Sequence, residues 1–155
     1  MGDRGNIVVK QGRDNPPVWL YTHWSGCDMP LLLQNALKRK QRWDDNSYLT
    51  RIIFCALIQG DTEGETGYGI STIENDNEHH YLVVDPDEGT VAVIEYHYAR
   101  ESKEPLSGKV LARWTMTEYI ELPITKKTTP EDLPKLKKGK GKKSPDDESM
   151  FEVEE

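Results

Sequence analysis

His80-Tyr81-Leu82-Val83-Val84-Asp85-Pro86-Asp87-Glu88-Gly89-Thr90-Val91-Ala92-Val93-Ile94-Glu95-Tyr96-His97-Tyr98 is the stretch that decides the fold. Two runs rich in β-branched and aromatic residues, 80–85 and 90–98, alternate with a period of two and are split by a cluster of turn formers. Pro86 presets φ for a type I turn, and Gly89 at its end is free to turn left-handed. The stretch therefore predicts two antiparallel strands, and residues 67–73 just upstream repeat the same period.

Further upstream the period changes to that of a helix. Asp44, Asp45, Asn46 and Ser47 offer N-caps, Tyr48, Leu49, Ile52, Ile53, Ala56 and Leu57 follow at helical spacing, and Gly60 supplies a stop. Phe54, Cys55 and Ile58 add apolar groups off that stripe, so this helix is expected to be surrounded on most sides and to form the core element. Before it, Asp28 as N-cap, Pro30 in the first turn and Leu32, Leu33, Ala36 and Leu37 predict another helix, whose basic end Lys38-Arg39-Lys40 suits the helix dipole. Strands at 6–10 and 18–24, joined through the turn-rich residues 11–17, predict a hairpin with a long loop. Downstream, 109–114 reads as a strand, and Thr115 and Glu118 have capping-box spacing for a short helix that Pro123 stops. The order predicts an α+β domain: an antiparallel sheet of five to six strands, two central helices on one face and a short C-terminal helix.

The chain has 155 residues and a net charge of -7. Residues 1–122 are read as one domain, because from Pro123 the apolar residues thin out. Residues 123–155 form a charged tail: 126–143 holds eight Lys against Glu131 and Asp132, and 144–155 holds six acids and no base. Such a segment has too little apolar area to offset chain entropy and is expected to be disordered. Its Lys-rich part, 135–143, reads as a solvated spacer or as a nucleic-acid-binding arm masked by the acidic end; direct nucleic-acid binding is expected nowhere else. No apolar window is long enough for a membrane helix, and the polar start is unlike a secretory signal. Asn6 stands where a myristoylation signal wants Ser or Thr, and two cysteines make no disulfide framework. The expectation is a cytoplasmic protein with no membrane partner; an oligomer is compatible with the sequence.

No glycine-rich phosphate loop, metalloprotease helix, paired CxxC or nucleophile elbow is present, which argues against an enzyme and gives no reason to expect a cofactor. Tyr21-Thr22-His23-Trp24-Ser25-Gly26 sets an imidazole and an indole at a strand end. His23 could serve as base or phosphate donor and Trp24 as a stacking surface; alternatively Trp24 is core, His23 bonds a loop carbonyl and Gly26 only permits the turn. Arg4, Arg42, Arg51 and Trp43 join His23 and Trp24 as candidates for an anion pocket. A Cys27–His23 dyad lacks a third orienting group. Glu74, Asp76, Glu78, His79 and His80 resemble a ligand set, but adjacent histidines on a strand face opposite ways, so no metal is expected.

Charge distribution is more specific. The 48 residues between Arg51 and Arg100 contain no Lys or Arg and ten carboxylates: Asp61, Glu63, Glu65, Glu74, Asp76, Glu78, Asp85, Asp87, Glu88 and Glu95. Gathered at one sheet edge, they would steer toward a partner with a basic surface and repel free nucleic acid; dispersed, they serve solubility. Glu74, Asp76, Glu78, Asp85, Asp87 and Glu88 are the expected protein-binding residues.

Several segments together resemble a family: Met1-Gly2-Asp3-Arg4, Tyr21-Thr22-His23-Trp24-Ser25-Gly26, Arg42-Trp43-Asp44-Asp45, Tyr48-Leu49-Thr50-Arg51-Ile52-Ile53-Phe54 and Thr66-Gly67-Tyr68-Gly69-Ile70-Ser71. They are similar to small uncharacterised proteins of bacteriophages and actinobacteria. Asp76-Asn77-Glu78-His79 also fits, with His80 where that family more often has Pro. The similarity covers about the first 95 residues and carries no activity. It implies an accessory protein of a phage or mobile element that binds a host component and interferes with it, for example a host defence. The alternative is a nucleotide sponge or small nucleotide-directed hydrolase using a His23-centred pocket.

Overall fold

All five residues of β1 (Gly5–Val9) are buried, which is possible only for a strand paired on both sides and covered on both faces. In the computed structural model, which describes residues 2–97 and 104–134, β1 is the third strand of a six-stranded sheet. The sheet continues with β2 (Val18–Thr22), β3 (Tyr68–Ser71), β4 (Tyr81–Asp85), β5 (Thr90–Ile94) and β6 (Val110–Thr115), in the order β3-β2-β1-β4-β5-β6. Helices α1 (Met29–Lys38), α2 (Asn46–Ile58) and α3 (Met116–Ile120) complete the α+β fold, with single 3-10 turns at Gly26–Asp28 and Pro130–Asp132.

The sheet is mixed, not wholly antiparallel, because β1 and β4 run parallel with Ile7 opposite Leu82 and Val9 opposite Val84. The other four pairings are antiparallel. Chain path explains the exception: after α2 the chain enters at the β3 edge, and residues 72–80 must cross the ends of β2 and β1 before β4 can pair beyond them. The predicted hairpin is present as β4 and β5, with Asp85 opposite Thr90 and Gly89 at φ 69; its second strand ends at Ile94, short of the expected 98, which lies outside the described residues.

Side chains alternate across the sheet. Ile7, Val9, Leu20, Leu82, Val84, Val91 and Val93 face the helices and pack with Leu33, Leu37, Leu49, Ile53 and Leu57. Val8, Trp19, Tyr81, Val83 and Ile94 form a smaller cluster on the opposite face, with Tyr96, Leu106 and Val110 against it. Helix α2 is one-sided, contrary to the expectation that it is enclosed: Cys55 is exposed and Tyr48 is 48% exposed. The enclosed element is β1.

Local signals behave unequally. Asp45 caps α2 by accepting from the Tyr48 N–H, and the Thr115–Glu118 capping box opens α3. Asp28 precedes α1 without a side-chain capping bond, while Pro30 takes its expected first-turn position. Gln34, buried in α1, donates to the carbonyls of Tyr119 and Leu122 and so satisfies the end of α3.

The ordered domain extends past Pro123. Leu133 is 2% exposed within the core, and Ile124 packs on it. The tail expected from residue 123 therefore contributes its first twelve residues to the fold; the Lys-rich and acidic blocks lie outside the described residues.

Candidate functional site

The crossing segment 72–80 builds the most distinctive surface. It returns over the start of β1, where Glu78 N–H donates to the Arg4 carbonyl and Asn6 Nδ2 donates to the Asp76 carbonyl and Asn77 Oδ1. Asn6 is fully buried, yet its Oδ1 has no hydrogen-bond partner among the described residues. Arg4, Tyr21, Glu74, Asn75, Asp76, Asn77 and Tyr96 line a concavity of about 590 Å³ beside this crossing. Among the described residues Arg4 is the one cation of the lining, and it is engaged, at 3.3 Å from Asp76 and 3.2 Å from Glu78. Glu78 sits below the usual carboxylate range because the Arg4 backbone and guanidinium both donate to it. Glu74 accepts a short hydrogen bond from the Tyr81 hydroxyl. Asp76 keeps 76% of its side chain exposed.

Behind this concavity a clamp ties together three segments. His79 Nε2 lies 2.6 Å from Asp3 Oδ1 and its Nδ1 lies 2.7 Å from Glu131 Oε1, so each ring nitrogen faces a carboxylate. The Glu131 hydrogen bond, set against burial and reinforced by Asp3, raises the imidazole to about 9. Burial pushes Glu131 and Asp3 upward, but His79 and the donated hydrogen bonds outweigh it and leave both lowered. Glu131 Oε2 also accepts the His80 N–H, and Asp3 Oδ2 accepts the Cys27 N–H. Gly26 is required here: a Cβ would stand 2.6 Å from His79 Cδ2 and 2.8 Å from the Asp3 carbonyl. Cys27, next to Asp3 and Asp28, is pushed up to about 12 by the Asp3 hydrogen bond, burial and Asp28. These shifts favour the imidazolium form of His79 and the thiol form of Cys27 at neutral pH.

The candidate anion pocket does not assemble. His23 meets Tyr21 Oη through Nδ1 at 3.1 Å, and its carbonyl accepts from Asp3 N–H, at the end of the sheet shared with Arg4. Trp24 is 51% exposed instead of core, and packs edge-on against His23 and Tyr68. Arg42 lies in the α1–α2 connection, 4.6 Å over the Tyr48 ring and 4.0 Å from Asp45. That connection is at the opposite end: near the start of α2 Thr50 meets Gln11, just past β1, whereas after its end Gln59 reaches Ser25. Arg51, in the first half of α2, is exposed. Among the described residues no group of three or more His, Cys, Asp or Glu is placed to hold a metal ion.

The carboxylates also divide. Glu74, Asp76 and Glu78 precede β4, whereas Asp85 ends it and Asp87 and Glu88 follow, so the five-residue strand sets the two groups about 15 Å apart. Asp85 faces Lys10 at 4.0 Å and accepts from Glu88 N–H, closing the turn. The single acidic edge expected from the sequence is therefore two groups at opposite ends.

The sequence reading missed Asp3 and Glu131 as partners of His79. Thr129-Pro130-Glu131-Asp132 carried the signal, since Thr with Pro and an acid three residues on marks a helical start, and a capping box between Thr129 and Asp132 forms there. Among the described residues no helix is long and apolar enough to cross a membrane. Comparison with family models, with curated proteins and with solved structures finds no match for this chain.

Proposed function

We propose that this chain is a non-enzymatic binding protein of the phage accessory type, acting in the cytoplasm, which engages a basic host protein through its acidic surface and interferes with it, as an anti-defence inhibitor would. One observation carries the reading: the 590 Å³ concavity is lined by Glu74 and Asp76, with Glu78 adjoining, and Arg4, the one cation among its described lining residues, is held by Asp76 and Glu78. A cationic side chain entering there meets partly exposed carboxylates already fixed by the fold, which favours fast encounter and a defined register. The resemblance to small phage proteins supplies the context. A phosphate-binding reading has weaker support, since Arg4 is engaged and Arg42 and Arg51 lie toward the other end of the sheet.

Affinity capture from bacterial lysate with wild type and with Glu74→Gln/Asp76→Asn tests the proposal. A basic protein retained at low salt by wild type, released as salt rises and not retained by the variant, is the expected result. Identical proteins on both columns would contradict it.

A further inference from the structure

The two edges of the sheet are not equally protected. The β6 edge carries Arg113 within the strand and a register shift between Val93 and Ile94 in its pairing with β5, both of which discourage a further strand. The β3 edge, Tyr68-Gly69-Ile70-Ser71, carries no charge, proline or bulge. Its hydrogen-bond phase follows from the neighbouring pair: His23 N–H donates to the Gly67 carbonyl, so Gly67, Gly69 and Ser71 bond inward to β2. Tyr68 and Ile70 therefore turn their N–H and C=O groups outward.

The flanks of this edge are apolar and acidic. Ile70 is 60% exposed, Ile73 69% and Trp24 51%, and the Trp24 ring lies over Gly67, where a Cβ would come within 2.2 Å of it. Exposed Asp61, Glu63 and Glu65 precede β3, whereas the crossing segment that follows it carries Asp76 and Glu78 inward to Arg4 and Asn6 at the start of β1. We infer that β3 is a docking edge for an extended segment of a partner protein in which basic and apolar residues alternate, added to the sheet as a seventh strand. The outward groups of Tyr68 and Ile70 supply backbone bonds. Ile70 and Trp24 receive apolar side chains on one face of the added strand, and the exposed Asp61, Glu63 and Glu65 leading into β3 receive cations. A second copy of this chain is the poorer occupant, because it would bring a second set of the same three carboxylates, and no cation, to the shared edge.

This inference rests on the proposed binding reading and adds its geometry. The probe is a seven-residue peptide alternating lysine and valine, titrated by fluorescence anisotropy, with a version N-methylated at alternate residues. Ile70→Pro removes one outward donor and spares the bonds to β2, a position where an edge strand tolerates proline. The expected result is binding that weakens about tenfold with Ile70→Pro and with the methylated peptide, together with slowed amide exchange at Tyr68 when wild type is loaded. Peptide binding that depends on salt and on Glu74 and Asp76 but ignores Ile70→Pro and methylation overturns the strand geometry and leaves the acidic-surface reading standing. Absence of any binding to the unmethylated peptide overturns the docking edge, as does concentration-dependent dimerisation of wild type that Ile70→Pro abolishes.

Discussion

The two ends of β4 hold similar numbers of carboxylates and put them to different uses. Before the strand, Glu74, Asp76 and Glu78 lie on a crossing segment held by Arg4, Asn6 and the Asp3–His79–Glu131 clamp, around a concavity. At its other end Asp85, the last residue of the strand, joins Asp87 and Glu88 in a local turn and meets Lys10 at 4.0 Å. The comparison shows that an acidic run in a sequence acquires meaning from the path of the chain. The hairpin turn spends Asp85 on its own closure and on Lys10 and leaves Asp87 and Glu88 exposed. A crossing connection must anchor itself across other strands and so fixes its acids in place.

The largest difference between the ends should appear in stability. His79→Ala leaves two half-buried carboxylates without their shared cation and is expected to cost about 2 kcal/mol, a figure already reduced for their partial exposure. Urea unfolding measures it, and a loss below about 0.5 kcal/mol would mean that this end is no more firmly held than the turn. The clamp should also respond to pH. His79 is raised to about 9 when folded, so its stabilisation is complete below the unfolded value of 6.5 and is lost as pH rises toward 9. Wild type should therefore lose more thermal stability than His79→Ala between pH 6.5 and 9; parallel curves would contradict the ion pairing. The smallest effect is predicted at the other end, where Lys10→Ala removes a long pair whose lysine is exposed and should change stability by less than about 0.5 kcal/mol. A larger loss would erase the contrast.

Local elements were legible in the sequence for local reasons. The hairpin of β4 and β5, the α2 cap at Asp45 and the Thr115–Glu118 box depend on neighbours within a few residues; the turn and both caps lie where their signals placed them, while the strand expected over 90–98 ends at Ile94. The parallel β1–β4 pairing was not legible, because it joins residues 75 positions apart through a path that no turn signal encodes. The same holds for the site. The charge map pointed to Glu74, Asp76 and Glu78, but Arg4 as their partner, the burial of Asn6 and the role of Gly26 depend on which segments the crossing connection brings together. Trp24 was open to two readings, stacking surface or core; its indole is half exposed because β2 ends at Thr22 and the residue lies beyond the strand.

The most direct test titrates the lysine–valine peptide into two doubly neutralised proteins, Glu74→Gln/Asp76→Asn and Asp87→Asn/Glu88→Gln. Removing two charges at the crossing end should weaken binding about tenfold, while the same loss of charge at the turn should change it by less than about twofold. Equal effects from the two variants would show that net charge alone governs the encounter, and would contradict the assignment of recognition to the crossing end.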